Sequence, residues 1–208
     1  FIGQWGPFGA QGEIRYNGFG ETEFDDGEDV DIDQIAWNLE GNYSMDMFRF
    51  ELGWAYAQGD DDPNDDKSEA SGGLFGDDWE KVWILTGSTD DNTALSLGGL
   101  GNLSATGGLL NPVGANLFYG GVTVMPMENV SVKFLVAYGE ADEVPSGVDD
   151  EFGWEYDLTL DWKIFDNLKY TFIAAYLDAG DFWVDAAGID SSDLEDNFHL
   201  YHALKMNF

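Results

Sequence analysis

A chain of 208 residues suffices for one domain with a sizeable core or a closed barrel, and its 15% aromatic and 44% hydrophobic content marks it as folded. Eight basic against 41 acidic residues leave a net charge of −33, which argues against nucleic acid as a partner, and the lack of cysteine excludes disulfides and thiolate metal sites. The longest apolar runs, 134–138 and 172–177, fall far short of the ~20 residues a membrane helix needs, so helical spans are excluded while β-barrels are not.

Apolar and polar residues alternate with a period of two along eight stretches, the mark of strands with one greasy and one wetter face. The first, residues 8–23, carries Glu13 and Arg15. A longer link, about 24–30, leads to 31–45, which carries Glu40. Asp46-Met47 turns the chain into 48–59, with Arg49 and Glu51, and a long segment of about 60–114 follows. Stretches 115–127 and 130–141 are joined by Glu128-Asn129, and the second carries Lys133. A link of about 142–151 precedes 152–165, where the alternation is clearest. There Trp154, Tyr156, Leu158, Leu160, Trp162 and Ile164 share one face, with Glu155, Asp157, Thr159, Asp161 and Lys163 on the other. Asp166-Asn167 leads into 168–182, which carries Lys169, and a link of about 183–196 leads to 197–208. In this last stretch Phe198, Leu200, Leu204, Met206 and Phe208 alternate with His199, Lys205 and Asn207.

These stretches exceed the ~5–6 residues of typical soluble strands and are long enough to cross a bilayer at a tilt. Tight and long links alternate strictly, as in outer-membrane barrels with short periplasmic turns and long external loops; a sandwich has no reason to sort its loops this way. Aromatic residues fall toward both ends of the greasy stripes, as girdles at the two membrane interfaces would. The expected fold is a single all-β domain over residues 1–208, a transmembrane antiparallel up-and-down barrel with about eight strands in this chain.

Charge sorts along the same axis. Most acids lie in or beside the four long links, while Arg15, Arg49, Lys133, Lys163, Lys169 and Lys205 lie within strands, opposite the greasy face. A lipid-facing Lys or Arg near the midplane costs ~2–4 kcal/mol, so these six are expected to line the lumen with Glu13, Glu40, Glu51, Glu155, Asp157 and Asp161. In a narrow barrel such groups form an internal ion-pair plug, and in a wider one they line a channel and tune its ion selectivity.

Loops above ~12–15 residues are uncommon unless functional or disordered, which makes 60–114 the main functional candidate: folded inward it narrows a pore, folded outward it caps one. At its start Asp60, Asp62, Asn64 and Asp66 offer alternating oxygen ligands to Ca²⁺ or Mg²⁺, but the EF-hand glycine and distal glutamate are missing, and a solvated acidic loop is the competing reading. An enzyme is not expected. His199 and His202 are three apart on a strand and point to opposite faces, and no nucleophile elbow, phosphate loop or zinc signature is present.

The terminal stretch ending in Phe208 resembles the C-terminal signal strand of bacterial outer-membrane proteins. Residues 154–168 and 174–181 look like the closing hairpins of Gram-negative porins, and 111–119 and 56–63 are similar to segments of alginate-export-like porins. The resemblance implies a bacterial outer-membrane location and contact with lipid and lipopolysaccharide. Those relatives are larger barrels, so the chain is expected to correspond to their C-terminal part, and residues 1–8 read like the interior of such a sequence; an intact eight-stranded barrel, whose even number puts both ends in the periplasm, is the alternative. No leader with a basic and an apolar part begins the chain, so a secretion signal is expected to lie upstream or to be removed. The resulting expectation is a porin passing small hydrophilic solutes or ions by diffusion, without a resident cofactor. The alternatives are a non-conducting structural or adhesive barrel with cation-binding acidic loops, and a scaffold barrel for a partner protein.

Overall fold

The computed structural model describes residues 1–22, 29–62, 64–71, 81–86, 113–188, 190 and 195–207. Its strands are β1 (Ile2–Trp5), β2 (Phe8–Thr22), β3 (Val30–Met45), β4 (Phe48–Ala57), β5 (Lys67–Ser68), β6 (Ala115–Met127), β7 (Val130–Glu140), β8 (Glu151–Phe165), β9 (Leu168–Ala179) and β10 (Asn197–Met206), with one helix, α1 (Phe182–Ala187), before β10. The long strands pair antiparallel with their chain neighbours in one up-and-down sheet, ordered β1-β2-β3-β4-β6-β7-β8-β9-β10. All eight alternating stretches form strands, because period-two patterning and two-residue turns dictate the same register along each hairpin.

Four features depart from the sequence reading. The described residues form ten strands rather than eight: the four residues of β1 are too few to show a period, yet a turn at Gly6 (φ +62°) folds them onto β2. Short β5 pairs parallel with β3, drawing the acidic start of the long segment back along the sheet. The last long link carries α1, which ends on the left-handed Gly188. The barrel expected from the sequence is not closed among the described residues: β2 has β1 on its far side, β10 pairs with β9, and the sheet is open. Phe208 and residues 23–28 lie outside the described residues.

The two faces of the sheet are buried in opposite ways. On the open face large apolar side chains stand exposed, among them Ile14, Leu52, Phe118, Phe134, Trp154, Tyr156, Leu158, Trp162, Leu200 and Leu204, with Leu52 at 73%. The other face holds the core. Ala36, Ala55, Ala57, Ala115, Leu117, Ala137, Ala175 and Leu177 lie buried there, with Val82, Ile84, Leu85 and Phe182 in the same cluster. The polar face expected from the charges is therefore apolar toward the long links and charged toward the tight turns. Alanine in a strand is compatible with either face, so periodicity did not reveal that half.

Gly114 fixes where the long segment rejoins the sheet. Its φ is +62°, and a Cβ there would lie 2.3 Å from Gly59 N and 2.5 Å from Ala57 O. The Val113 carbonyl beside it accepts from Asp142 N and Glu143 N, at 3.0 and 2.8 Å. Backbone strain and this clash together make Gly114→Ala costly, by about 1–3 kcal/mol or more. We expect it to lower the urea midpoint of the folded protein; an unchanged midpoint would show that the two ends of the segment are not clamped backbone to backbone.

Candidate functional site

Residues 81–86 lie across the covered face as a strap. The turn is closed by Thr86, whose hydroxyl accepts from Lys81 N and Val82 N (3.0 and 3.1 Å) and donates to the Val82 carbonyl at 2.6 Å. That geometry aims the next three amide groups at the sheet. Ile84 N donates to Glu155 Oε1 at 2.6 Å, Leu85 N to Glu155 Oε2 at 2.7 Å, and Trp83 N to Asp157 Oδ2 at 3.1 Å. The Trp83 indole N–H reaches Thr159 Oγ1 at 3.3 Å. Glu155, Asp157 and Thr159 are successive residues on one face of β8, so a single strand supplies every acceptor in this grip. Glu155 is 0% exposed and Asp157 3%, burial that a carboxylate tolerates only with donors of this kind.

The other end of the strap is held by charge. Lys81 Nζ bonds Glu40 Oε2 and lies 5.2 Å from the centre of the Tyr119 ring. Glu40 (β3) also accepts from the Tyr119 hydroxyl at 3.2 Å and from Gln11 at 3.4 Å, with Arg49 at 3.9 Å. Beside it Lys133 (β7) pairs with Glu51 (β4) at 2.5 Å across β6, where Gly121 is in register with Glu51 on one side and Leu135 on the other. A Cβ on Gly121 would meet Leu135 Cδ1 at 2.6 Å, so the missing side chain leaves this crossing open.

Nearer the tight turns the face carries a row of cations. Lys163 faces Lys169 in register, and Lys169 faces Lys205. Local acids moderate their repulsion: Lys169 meets Asp161 at 2.7 Å and Lys163 meets Asp166 at 2.8 Å. The Lys163 hydrogen bond holds the Asp166 carboxyl below its usual range. Of the twelve residues expected to share one face, Glu40, Arg49, Glu51, Lys133, Glu155, Asp157, Asp161, Lys163, Lys169 and Lys205 belong to this arrangement. Glu13 and Arg15 lie farther out on β2, opposite Asn38 and Ala36, and are exposed.

Of the proposed Ca²⁺ ligands, only Asp60 has oxygen atoms grouped with other acids. The carboxylates brought within 4.8 Å of one another are those of Asp60, Asp61 and Glu69. Asp62 instead accepts from Asn64 N at 3.2 Å, and the Asp66 carbonyl accepts from Asp31 N at 2.8 Å. Glu69 is held below the usual range by its hydrogen bond with Lys67, while the hydrogen bond with Glu69 raises Asp61. The histidines separate as their spacing requires: His199 is buried beside Tyr201, and His202 is exposed beside Tyr170.

Sequence reasoning missed Lys81, Trp83 and Tyr119 as site residues. The available signal was the run Trp79–Thr86, apolar within an acidic segment, together with the question of which cation satisfies Glu40. On the open face the aromatics meet across strands: Trp37 stacks on Tyr56 at 4.1 Å, Trp54 on Phe118 at 5.7 Å, and Tyr138 meets Trp154 at 5.0 Å. Their polar atoms turn toward the long links, with the Tyr56 hydroxyl donating to Asp142 at 2.9 Å and that of Tyr176 to Asp196 at 2.5 Å.

No protein-family model matches this sequence, and no curated protein matches it.

Glu155→Ala removes two charge-assisted bonds worth about 1.5–3 kcal/mol each and leaves the Ile84 and Leu85 amides buried without acceptors. Hydrogen exchange of those two amides should accelerate at least ~100-fold, with a smaller effect in Glu155→Gln, which keeps one acceptor. Unchanged protection in Glu155→Ala would mean that the strap is held by something other than this carboxylate.

Proposed function

We propose that this chain forms the wall of an outer-membrane β-barrel that passes small hydrophilic solutes or ions by diffusion, with the 81–86 strap narrowing the path. The observation that carries the reading is the inverted polarity of the sheet: large apolar side chains stand exposed on one face, while most of the strand charges lie on the other, under the strap or around the lysine row. In water a surface of this size and greasiness invites association, whereas in a bilayer it is the ordinary lipid-facing surface of a barrel. The cross-strand aromatics with hydroxyls turned toward the acidic links fit the headgroup zone. A barrel also needs every strand edge paired, so β1 and β10 would close on each other or through further strands. The acidic links then face outward and attract divalent cations and, through them, lipopolysaccharide headgroups.

A second reading draws on a different observation. Val82, Ile84 and Leu85 are packed against the alanine-rich half of the face, as a plug would be. In this reading the barrel is structural and silent, and its acidic links bind cations or surface partners.

Planar-bilayer recording separates the two. The pore reading predicts discrete current steps from purified protein. Neutralising Lys133, Lys163 and Lys169 together should shift the permeability ratio toward cations, and Glu155→Ala should raise unit conductance. A correctly inserted protein that carries no current would establish the plug.

A further inference from the structure

Between the strap and the sheet lies a cavity of about 190 Å³. Lys133 and Leu135 on β7 stand opposite Thr159 and Asp157 on β8 to form its floor, and Lys81 and Trp83 form the roof. Its charges are matched within the fold. Lys81 pairs with Glu40 and Lys133 with Glu51. Glu155 and Asp157 share a hydrogen bond, so one of these two neighbouring carboxyls keeps its proton. The negative charge that remains on the pair is held by the strap amides. A free anion would meet that charge and the acids beside both lysines, and a free cation would meet two ammonium groups. The cavity favours a guest without net charge.

Its hydrogen-bonding capacity, in contrast, is not used up. An ammonium group has three N–H donors, and the pairings of Lys81 and Lys133 among the described residues use one each. The Thr159 hydroxyl accepts from the Trp83 indole at 3.3 Å, which leaves it a second lone pair and its own proton. Trp83 and Leu135 add an apolar wall to this donor-rich lining. Water satisfies the donors but leaves that wall uncovered, whereas a molecule with hydroxyls along its edge and C–H groups on its face meets both. With a water's share of liquid volume near 30 Å³, the cavity corresponds to about six waters, the scale of a solute with about six heavy atoms.

We propose that this cavity binds a small neutral polyol, its hydroxyl oxygens accepting from Lys133, Lys81 and Thr159 and its C–H face lying against Trp83 and Leu135. A monohydric alcohol covers the wall but leaves most of the donors unused. The physiological meaning rests on the pore reading, in which uncharged polyols are among the solutes that pass the strap.

The test is a saturation-transfer NMR titration of the protein in an amine-oxide detergent, which carries no polyol headgroup, with glycerol against acetate, methylammonium and n-propanol as probes. Glycerol should bind at least ~10-fold more tightly than any of the three. Thr159→Val keeps the shape of the floor and removes its hydroxyl, and it should weaken glycerol by about 5-fold. Lys133→Met removes a charged donor and should weaken glycerol by about 10-fold. Near-UV circular dichroism of the tryptophans checks that both variants keep the fold. Equal affinity for glycerol and any of the other probes, no binding of glycerol, or wild-type affinity in both variants would overturn the site and leave the cavity to water. Binding in detergent is read without a membrane, so conductance steps without glycerol binding would refute this site alone, and glycerol binding by a silent protein would refute only the pore.

Discussion

Glu155 is a carboxylate with no measurable exposure, planted in the middle of a β-sheet, and the arrangement of the covered face follows from supplying it with donors. Strand β8 cannot supply them, because its own amides are committed to β7 and β9. The donors come instead from the amides of Ile84 and Leu85, which a Thr86-closed turn leaves pointing at the sheet. Each group is costly without the other: bare amides and a bare carboxylate under an apolar lid would each lose hydration without a partner. The bond is therefore as much a constraint as a source of stability. It specifies where the long segment lands, and from that position Val82, Ile84 and Leu85 cover the alanines while Lys81 comes to rest on Glu40.

Side-chain size permits that landing. Glycine or alanine at positions 36, 53, 55, 57, 121, 137 and 175 leaves room above the sheet where larger residues would fill it. The lysine row occupies the part of the face that the strap does not reach, where Lys163, Lys169 and Lys205 stand in register. A single period-two pattern thus produces three environments: a greasy open face, a packed alanine floor under the strap, and an ionic zone near the tight turns.

Strand positions and side-chain facing were legible because period-two alternation and two-residue turns are local signals. That Glu155, Lys133 and Lys169 share one face was legible for the same reason, since parity alone puts them opposite the greasy stripe. What could not be read was long-range. No spacing within the sequence links Lys81 to Glu40, or Ile84 and Leu85 to Glu155, because those contacts depend on how a long segment folds back. Strand β1 escaped notice through brevity, and α1 because six residues give less than two turns of helical period. The oxygen ligands at Asp60, Asp62, Asn64 and Asp66 looked regular as a sequence, but local Asx-type bonding pulls Asp62 and Asn64 toward each other, and the acids that do converge on Asp60 are Asp61 and distant Glu69.

The central claim is that the exposed stripe of β8 meets lipid while its alternate residues face the strap side. The chain has no cysteine, so single cysteines can be introduced one at a time and spin-labelled in protein reconstituted into bilayers. Collision of the labels with oxygen, which partitions into lipid, and with a water-soluble nickel chelate gives a direct reading at positions 154, 156, 158, 159, 160 and 161. The account predicts oxygen-dominated collisions at 154, 156, 158 and 160, with low oxygen collision at 159 and 161. Chelate-dominated collisions at the even positions, or no alternation along the strand, would contradict it.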